Sequence, residues 1–212
     1  PDVNDSVASS ASVGPNIRFG RTAVRNVGAN VVAGIIEARE TKGAFTDFAD
    51  FLDKVPTQVC NKRVLDSLIK AGAFDSLGHT RRSLLLVHEQ AVDAVIDVKR
   101  KEAVGQFDLF ADLMGGDGAE GASFAVQVPE LPEWDKKQKL IFERQMLGLY
   151  VSGHPLAGVE HVLTAASDVS IATLLADEAR PDGSVITVAG LITSVAVKIS
   201  KKSGNPWAMV TI

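Results

Sequence analysis

The sequence has a single cysteine, Cys60. That excludes an internal disulfide framework and leaves too few thiols for a thiolate zinc site or an iron–sulfur cluster. Such a chain suits a reducing cytosol, and the expected location is cytoplasmic. No apolar run approaches the roughly 18 residues needed to cross a bilayer, so no membrane partner is expected. Residues 1–12 are small and polar and lack the basic start and apolar stretch of a secretory signal. His79, His88, His154 and His161 never fall at a metal spacing such as HxxxH. The phosphate-cradling GxxxxGK loop, the dinucleotide GxGxxG turn and the GxSxG nucleophile elbow are all missing. Asp47/Asp50 and Asp50/Asp53 stand three residues apart on one short amphipathic stretch, the pattern of a solvated helix face. No catalytic residue, metal ligand or cofactor is therefore expected within this segment.

At 212 residues, 46% hydrophobic and 23% charged, the chain can bury a real core in one or two domains. Its net charge of −4 conceals a strong segregation. Residues 17–42 carry Arg18, Arg21, Arg25, Arg39 and Lys42 against Glu37 and Glu40, a balance of +3. Residues 61–82 repeat it, with Lys62, Arg63, Lys70, Arg81 and Arg82 against Asp66 and Asp75. Residues 102–135 hold eight acids and no Lys or Arg. A phosphate backbone could approach the basic front and would be repelled by the acidic middle. Charge alone equally suits solvated faces.

The expected fold is mainly α with a small β part. Residues 1–16 read as an extended lead-in without period. Four apolar stripes at helical spacing follow: Val31, Val32, Ile35 and Ile36, ending near Lys42 and Gly43; Phe48, Phe51, Leu52 and Val55, with Thr46 as N-cap and Pro56 beyond; Val64, Leu65, Leu68 and Ile69, ending at Ala71-Gly72; and Leu84, Val87, Ala91, Val92, Val95 and Ile96. Together they predict one helical domain over about 17–98. Residues 99–132, rich in glycine, proline and acids, read as a mobile acidic linker. Residues 133–182 read as a helical connector, with one helix from Glu133 to Leu147 stopped by Gly148 and a smaller piece around 171–179. In 183–212 the period changes to two: Val195, Val197 and Ile199 alternate with Ala196, Lys198 and Ser200, then a turn at Ser203-Gly204-Asn205 and a returning strand from Trp207.

Three short constellations suggest binding. Residues 23–32 have the pattern of a helix-hairpin-helix, with a tight turn centred on Val27-Gly28. Such a corner aims backbone N–H groups and the positive end of the second helix at one point, where a phosphate oxygen can be held without reading a base. Gly28 is expected to supply a positive φ, and Asn26 stands where such hairpins usually carry another glycine. An ordinary corner between two helices would look similar. A second candidate turn runs from Ile69 through Gly72 to Gly78. Finally, Gln106-Phe107-Asp108-Leu109-Phe110 places a side-chain amide and two large apolar groups in a stretch that offers no local core. These residues either fold back on the helical domain or fit a partner's groove as an extended peptide.

The chain resembles the alpha subunits of bacterial DNA polymerase III, the C-family replicative polymerases, and their actinobacterial branch in particular. Pro1-Asp2-Val3-Asn4 with Ile17-Arg18-Phe19-Gly20 and Val27-Gly28 resembles that family's exit from the fingers into its tandem helix-hairpin-helix domain. Residues 68–75 with Arg81 resemble the second half of that domain. Residues 106–110 match the family's internal motif for the β sliding clamp in residue type. Residues 145–156 resemble its segment ahead of the OB domain, and residues 185–212 are similar to that domain's opening strands.

The resemblance implies a DNA-binding and clamp-tethering segment of a DNA-directed DNA polymerase. Partners would be primer–template duplex, the β clamp and other replisome subunits. Backbone-binding residues would be Arg25, Asn26, Val27, Gly28, Lys62, Arg63, Gly72, Arg81 and Arg82; clamp-binding residues would be Gln106, Phe107, Asp108, Leu109 and Phe110. Polymerisation would use palm aspartates and magnesium upstream of Pro1, so the segment itself would be inert. A helix-hairpin-helix repair or recombination accessory protein is the alternative, distinguished by the absence of palm carboxylates upstream.

Overall fold

The apolar stripes fold as helices α1 (Ala29–Lys42), α2 (Phe48–Lys54), α3 (Lys62–Lys70) and α4 (Arg81–Ala103). The computed structural model describes residues 1–13, 16–18, 20–103, 126–176 and 183–212. These form two units, residues 1–152 and 153–212. Helix α1 ends at Gly43, which takes φ 85°. The N-cap of α2 is Asp47 rather than Thr46, because its carboxylate accepts from the amide of Asp50 at 2.8 Å. Asn61 caps α3 by accepting from the amides of Arg63 and Val64. Lys99, near the end of α4, donates to the backbone carbonyls of Asp53 (2.7 Å) and Val55, which satisfies the C-terminus of α2.

The core of this unit lies where the four stripes meet. Phe48, Phe51, Leu52, Leu65, Leu68, Ile69 and Leu84 are all essentially inaccessible to solvent. Each buried side chain of this size contributes about 1.5–3 kcal/mol. Phe51 meets Phe45 and Phe74 edge-on with centroids 4.9 Å apart, and Phe48 meets Phe74 at 5.3 Å.

Three expected boundaries differ. The first residues of the expected lead-in are fastened to the domain: Val3 is completely buried in the core and Ser6 is buried. Asn4 donates to the carbonyl of Phe45 and accepts from its amide, both at 2.8 Å, and Arg39 donates to the carbonyls of Asn4 and Ser6. These bonds join residues some forty positions apart, which no local period reveals. Strands β1 (Ala11–Val13) and β2 (Asn16–Arg18) then pair antiparallel. Helix α4 continues to Ala103, past the expected start of the linker. Helix α5 (Lys136–Leu147) belongs to the first unit rather than to a separate connector, with Leu140, Glu143 and Leu147 buried. The residues before it are also fastened: Val126 and Val128 pack on the core, and Leu131 exchanges hydrogen bonds with Thr80 and Ser83 at 3.1 Å.

In the second unit, α6 (Glu160–Ala165) was not legible from the sequence, since none of its residues is buried. Helix α7 spans Ile171–Ala176. The expected hairpin forms as β3 (Ser194–Ile199) and β4 (Pro206–Thr211), with Val195 opposite Val210 and Val197 opposite Ala208. Both faces are open, and Val197 and Ile199 are more than 70% exposed.

Gly72 is constrained twice, by its φ of 77° and because an added Cβ would overlap the guanidinium of Arg81. Gly72→Ala should lower the unfolding free energy by about 2–4 kcal/mol in urea denaturation. At Gly28, where a Cβ would meet nothing within 4 Å, alanine should cost no more than about 1 kcal/mol.

Candidate nucleic-acid interface

The first corner runs from Val24 to the start of α1. Val24 and Val27 are buried and anchor it, while Arg25, Asn26 and Gly28 are exposed. Its left-handed residue is Asn26, at φ 66°; Gly28 is extended (φ −77°, ψ 161°), contrary to the expected positive φ. Asparagine tolerates that conformation, and here its side-chain amide also donates to the hydroxyl of Ser67 on α3 at 3.0 Å. The amide of Arg25 donates to the carbonyl of Met146, at the end of α5, at 2.8 Å.

Gly28 is the N-cap of α1, but it has no side chain with which to cap. Among the described residues nothing accepts from the amides of Ala29, Asn30 and Val31, and no acidic residue lies in the first turn of α1. Three N–H groups and the positive helix end therefore face a point in solvent that no side chain at 28 obstructs. An anion is the ligand such a point favours.

The second corner has the same pattern and the opposite outcome. The amides of Ala71, Gly72 and Ala73 donate to the carbonyls of Ser67, Ile69 and Leu68, at 2.9–3.0 Å, and all three residues are buried. The N-terminus of α4 is also occupied. One carboxylate oxygen of Glu133 accepts from the amide of Arg81 at 3.0 Å, the other faces the amide of Arg82 at 3.4 Å, and Thr80 caps Ser83. The chain's own carboxylate thus fills the place an external phosphate would take. Gly72 is corrected as a backbone-binding residue: its amide is internally bonded, and its missing side chain makes room for Arg81.

Arg81 is likewise corrected. It is buried, with its Nε and Nη2 on the carboxylate of Asp75 (2.8 and 2.6 Å) and its Nη1 on Glu143 at 3.0 Å. Burial opposes its charge, but Asp75 first and Glu143 next hold it more firmly protonated than an ordinary arginine. The other oxygen of Glu143 accepts from the amides of Val151 and Ser152 at 2.8 Å. Burial alone would raise the pKa of Glu143; these amides and Arg81 outweigh it and hold the carboxyl below its ordinary value.

Among the remaining expected contacts, Arg63 and Arg82 are exposed, and no carboxylate pairs with them or with Arg25 among the described residues. Lys62 is half-buried and paired with Asp93 at 2.8 Å. Gln106, Phe107, Asp108, Leu109 and Phe110 lie outside the described residues. No cluster of three or more His, Cys, Asp or Glu that could hold a metal occurs among the described residues, and none of their helices is long and apolar enough to cross a membrane.

Ser67, Glu133, Glu143 and Met146 complete both corners, and sequence reading missed all four. Only Glu143 left a trace: it shares the spacing of Leu140 and Leu147 and so puts an acid on a buried stripe.

Residues 1–84 match the helix-hairpin-helix motif family. The whole chain is 53% identical to a DNA polymerase III subunit alpha of Saccharopolyspora erythraea, covering 18% of that protein. Over 98% of its length it is 52% identical to the DNA polymerase III subunit alpha of Mycobacterium tuberculosis, covering 17% of it. The Borreliella burgdorferi protein of the same name is 34% identical across the full chain. The chain thus spans less than a fifth of the length of these relatives.

The ionic cluster fixes a pH dependence. Because the folded pKa of Glu143 lies below the ordinary 4.5, its contribution to stability is complete above that value and is lost as pH falls through the depressed one. Urea unfolding from neutral pH down to about pH 3 should show stability falling below the ordinary carboxyl range. Glu143→Gln, less stable at neutral pH, should show a shallower fall.

Proposed function

Because the chain belongs to the DNA polymerase III alpha subunit family, we propose that it is a non-catalytic duplex-gripping and clamp-tethering segment of a replicative DNA-directed DNA polymerase, working in the cytoplasm. The observation that carries this reading is the open first corner: three amides without a partner among the described residues, at an unobstructed, acid-free helix start.

A phosphate oxygen placed there accepts from the amides of Ala29 to Val31, and Arg25 on the same corner supplies a mobile counter-charge. Arg63 and Arg82 add exposed positive charge elsewhere on the unit. None of these groups needs to reach a base edge, so the grip is indifferent to sequence, as a polymerase advancing along its template requires. A single corner gives modest affinity, and processivity then depends on a second attachment. That attachment is assigned to residues 106–110 on the β clamp, where Gln106 supplies an amide and Leu109 and Phe110 fill an apolar groove. Helix α4 and residues 126–152, which flank the motif, both belong to the first unit. A clamp held by this motif would therefore keep the phosphate grip at high local concentration.

Nucleotidyl transfer is assigned to palm aspartates and magnesium ions of the whole polymerase, outside this chain. The hairpin of β3 and β4 is read as part of an OB fold, a reading that rests on the resemblance of residues 185–212 to that domain's strands.

Binding of a fluorescent DNA duplex, followed by anisotropy across a salt series, tests the grip. Affinity should fall with salt and ignore sequence. Gly28→Val, which puts a branched side chain where the phosphate would sit, should weaken binding about tenfold or more while the protein stays folded. A flat salt response, or unchanged binding by Gly28→Val, would refute the reading.

Leu109→Ala with Phe110→Ala should abolish retention on a loaded clamp and leave duplex binding intact; full retention by that variant would remove the tether from the account.

A further inference from the structure

The helix-hairpin-helix match ends at residue 84, yet the first corner is completed by a residue far beyond it. The amide of Arg25 donates to the carbonyl of Met146 at 2.8 Å. Met146 lies in the last turn of α5, and its side chain packs against the core. Helix α5 is in turn fastened three residues earlier, where Glu143 receives Arg81 from the second corner and the amides of Val151 and Ser152. The two corners are thereby joined in series: Gly72 makes room for Arg81, Arg81 holds Glu143, and the following turn of α5 presents the Met146 carbonyl to Arg25.

We infer that Arg81 and Glu143 are positioning residues for the phosphate grip. They touch no nucleic acid, and they hold α5 where the Met146 carbonyl fixes the first corner, so the amides of Ala29 to Val31 converge on one point. The second corner is closed so that the first can be rigid. This inference rests on the proposed function, because it concerns the same corner, and it assigns α5 to the grip although it lies outside the helix-hairpin-helix segment.

The geometry makes the arrangement sensitive to a single change. Removing one charge from a buried, hydrogen-bonded pair leaves the other uncompensated, so the remaining partner draws in water or moves. The hydrogen bond from Arg25 to Met146 then weakens, because it depends on the placement of α5.

Two measurements on the 212-residue chain test this, with wild type, Glu143→Gln and the charge-preserving Arg81→Lys. The first is amide hydrogen exchange by NMR, without DNA. Under conditions where circular dichroism shows each variant fully folded, the Arg25 amide should exchange about tenfold faster or more in Glu143→Gln. Amides in the middle of α1 should slow or quicken only with global stability. Arg81→Lys, which keeps the charge and loses the fork, should give an intermediate effect and stays informative if Glu143→Gln fails to fold. The second is duplex binding across a salt series, where Glu143→Gln should bind about tenfold more weakly at each salt concentration with little change in slope, because no Lys or Arg is removed. Unchanged Arg25 exchange in both variants, or a binding loss that merely tracks the unfolded fraction, would overturn the positioning role. The exchange measurement uses no DNA, so it fails or succeeds independently of the proposed grip; a flat salt response of the wild type would instead overturn the grip itself.

Discussion

A guanidinium buried between two carboxylates is the constraint on which the rest of the first unit depends. An isolated charge in that position would cost several kcal/mol, and it is tolerable only because the hydrogen bonds around it are complete. Arg81 spends its fork on Asp75 and its remaining arm on Glu143, and Glu143 spends its second oxygen on two backbone amides. Each partner comes from a different part of the chain, so the cluster brings together the second corner, α4, α5 and the turn after α5. Gly72 is the steric condition for the whole arrangement.

Two corners with similar sequence patterns thus take opposite roles. The first has a capless helix start without acids and remains open; the second has spent its amides on a helix C-terminus and its helix start on Glu133. A domain built from tandem motifs need not use both in the same way. One corner can serve as the grip and the other as the frame that holds it, and the difference is set by where the chain's own carboxylates lie. That division agrees with the charge distribution, because no carboxylate pairs with Arg25 among the described residues while Arg81 is fully committed.

The helices were legible because their burial is periodic: Val64, Leu65, Leu68 and Ile69 could lie inside on only one face, and Gly43 marks an end that local chemistry dictates. The β hairpin was legible from its alternation and its glycine turn. What escaped was long-range. Val3 and Asn4 look like part of a formless lead-in and are core and clasp. Arg81 reads as surface charge because arginine usually is, and only the positions of Asp75 and Glu143 show otherwise. Gly28 lacks the positive φ expected of it, and Asn26 alone carries one in this corner, because sequence marks a tight turn without saying which of its residues takes that conformation. The family resemblance stood apart from all of this, since motifs in family order identify a segment without revealing which of its charges face outward.

Amide exchange with and without bound duplex tests the central claim most directly. The account requires that a DNA duplex slow exchange at Ala29, Asn30 and Val31, while the amides of Ala71 to Ala73 and of Arg81 and Arg82, already satisfied within the chain, stay as they were. Protection confined to the second corner, or no protection at the start of α1, would contradict it.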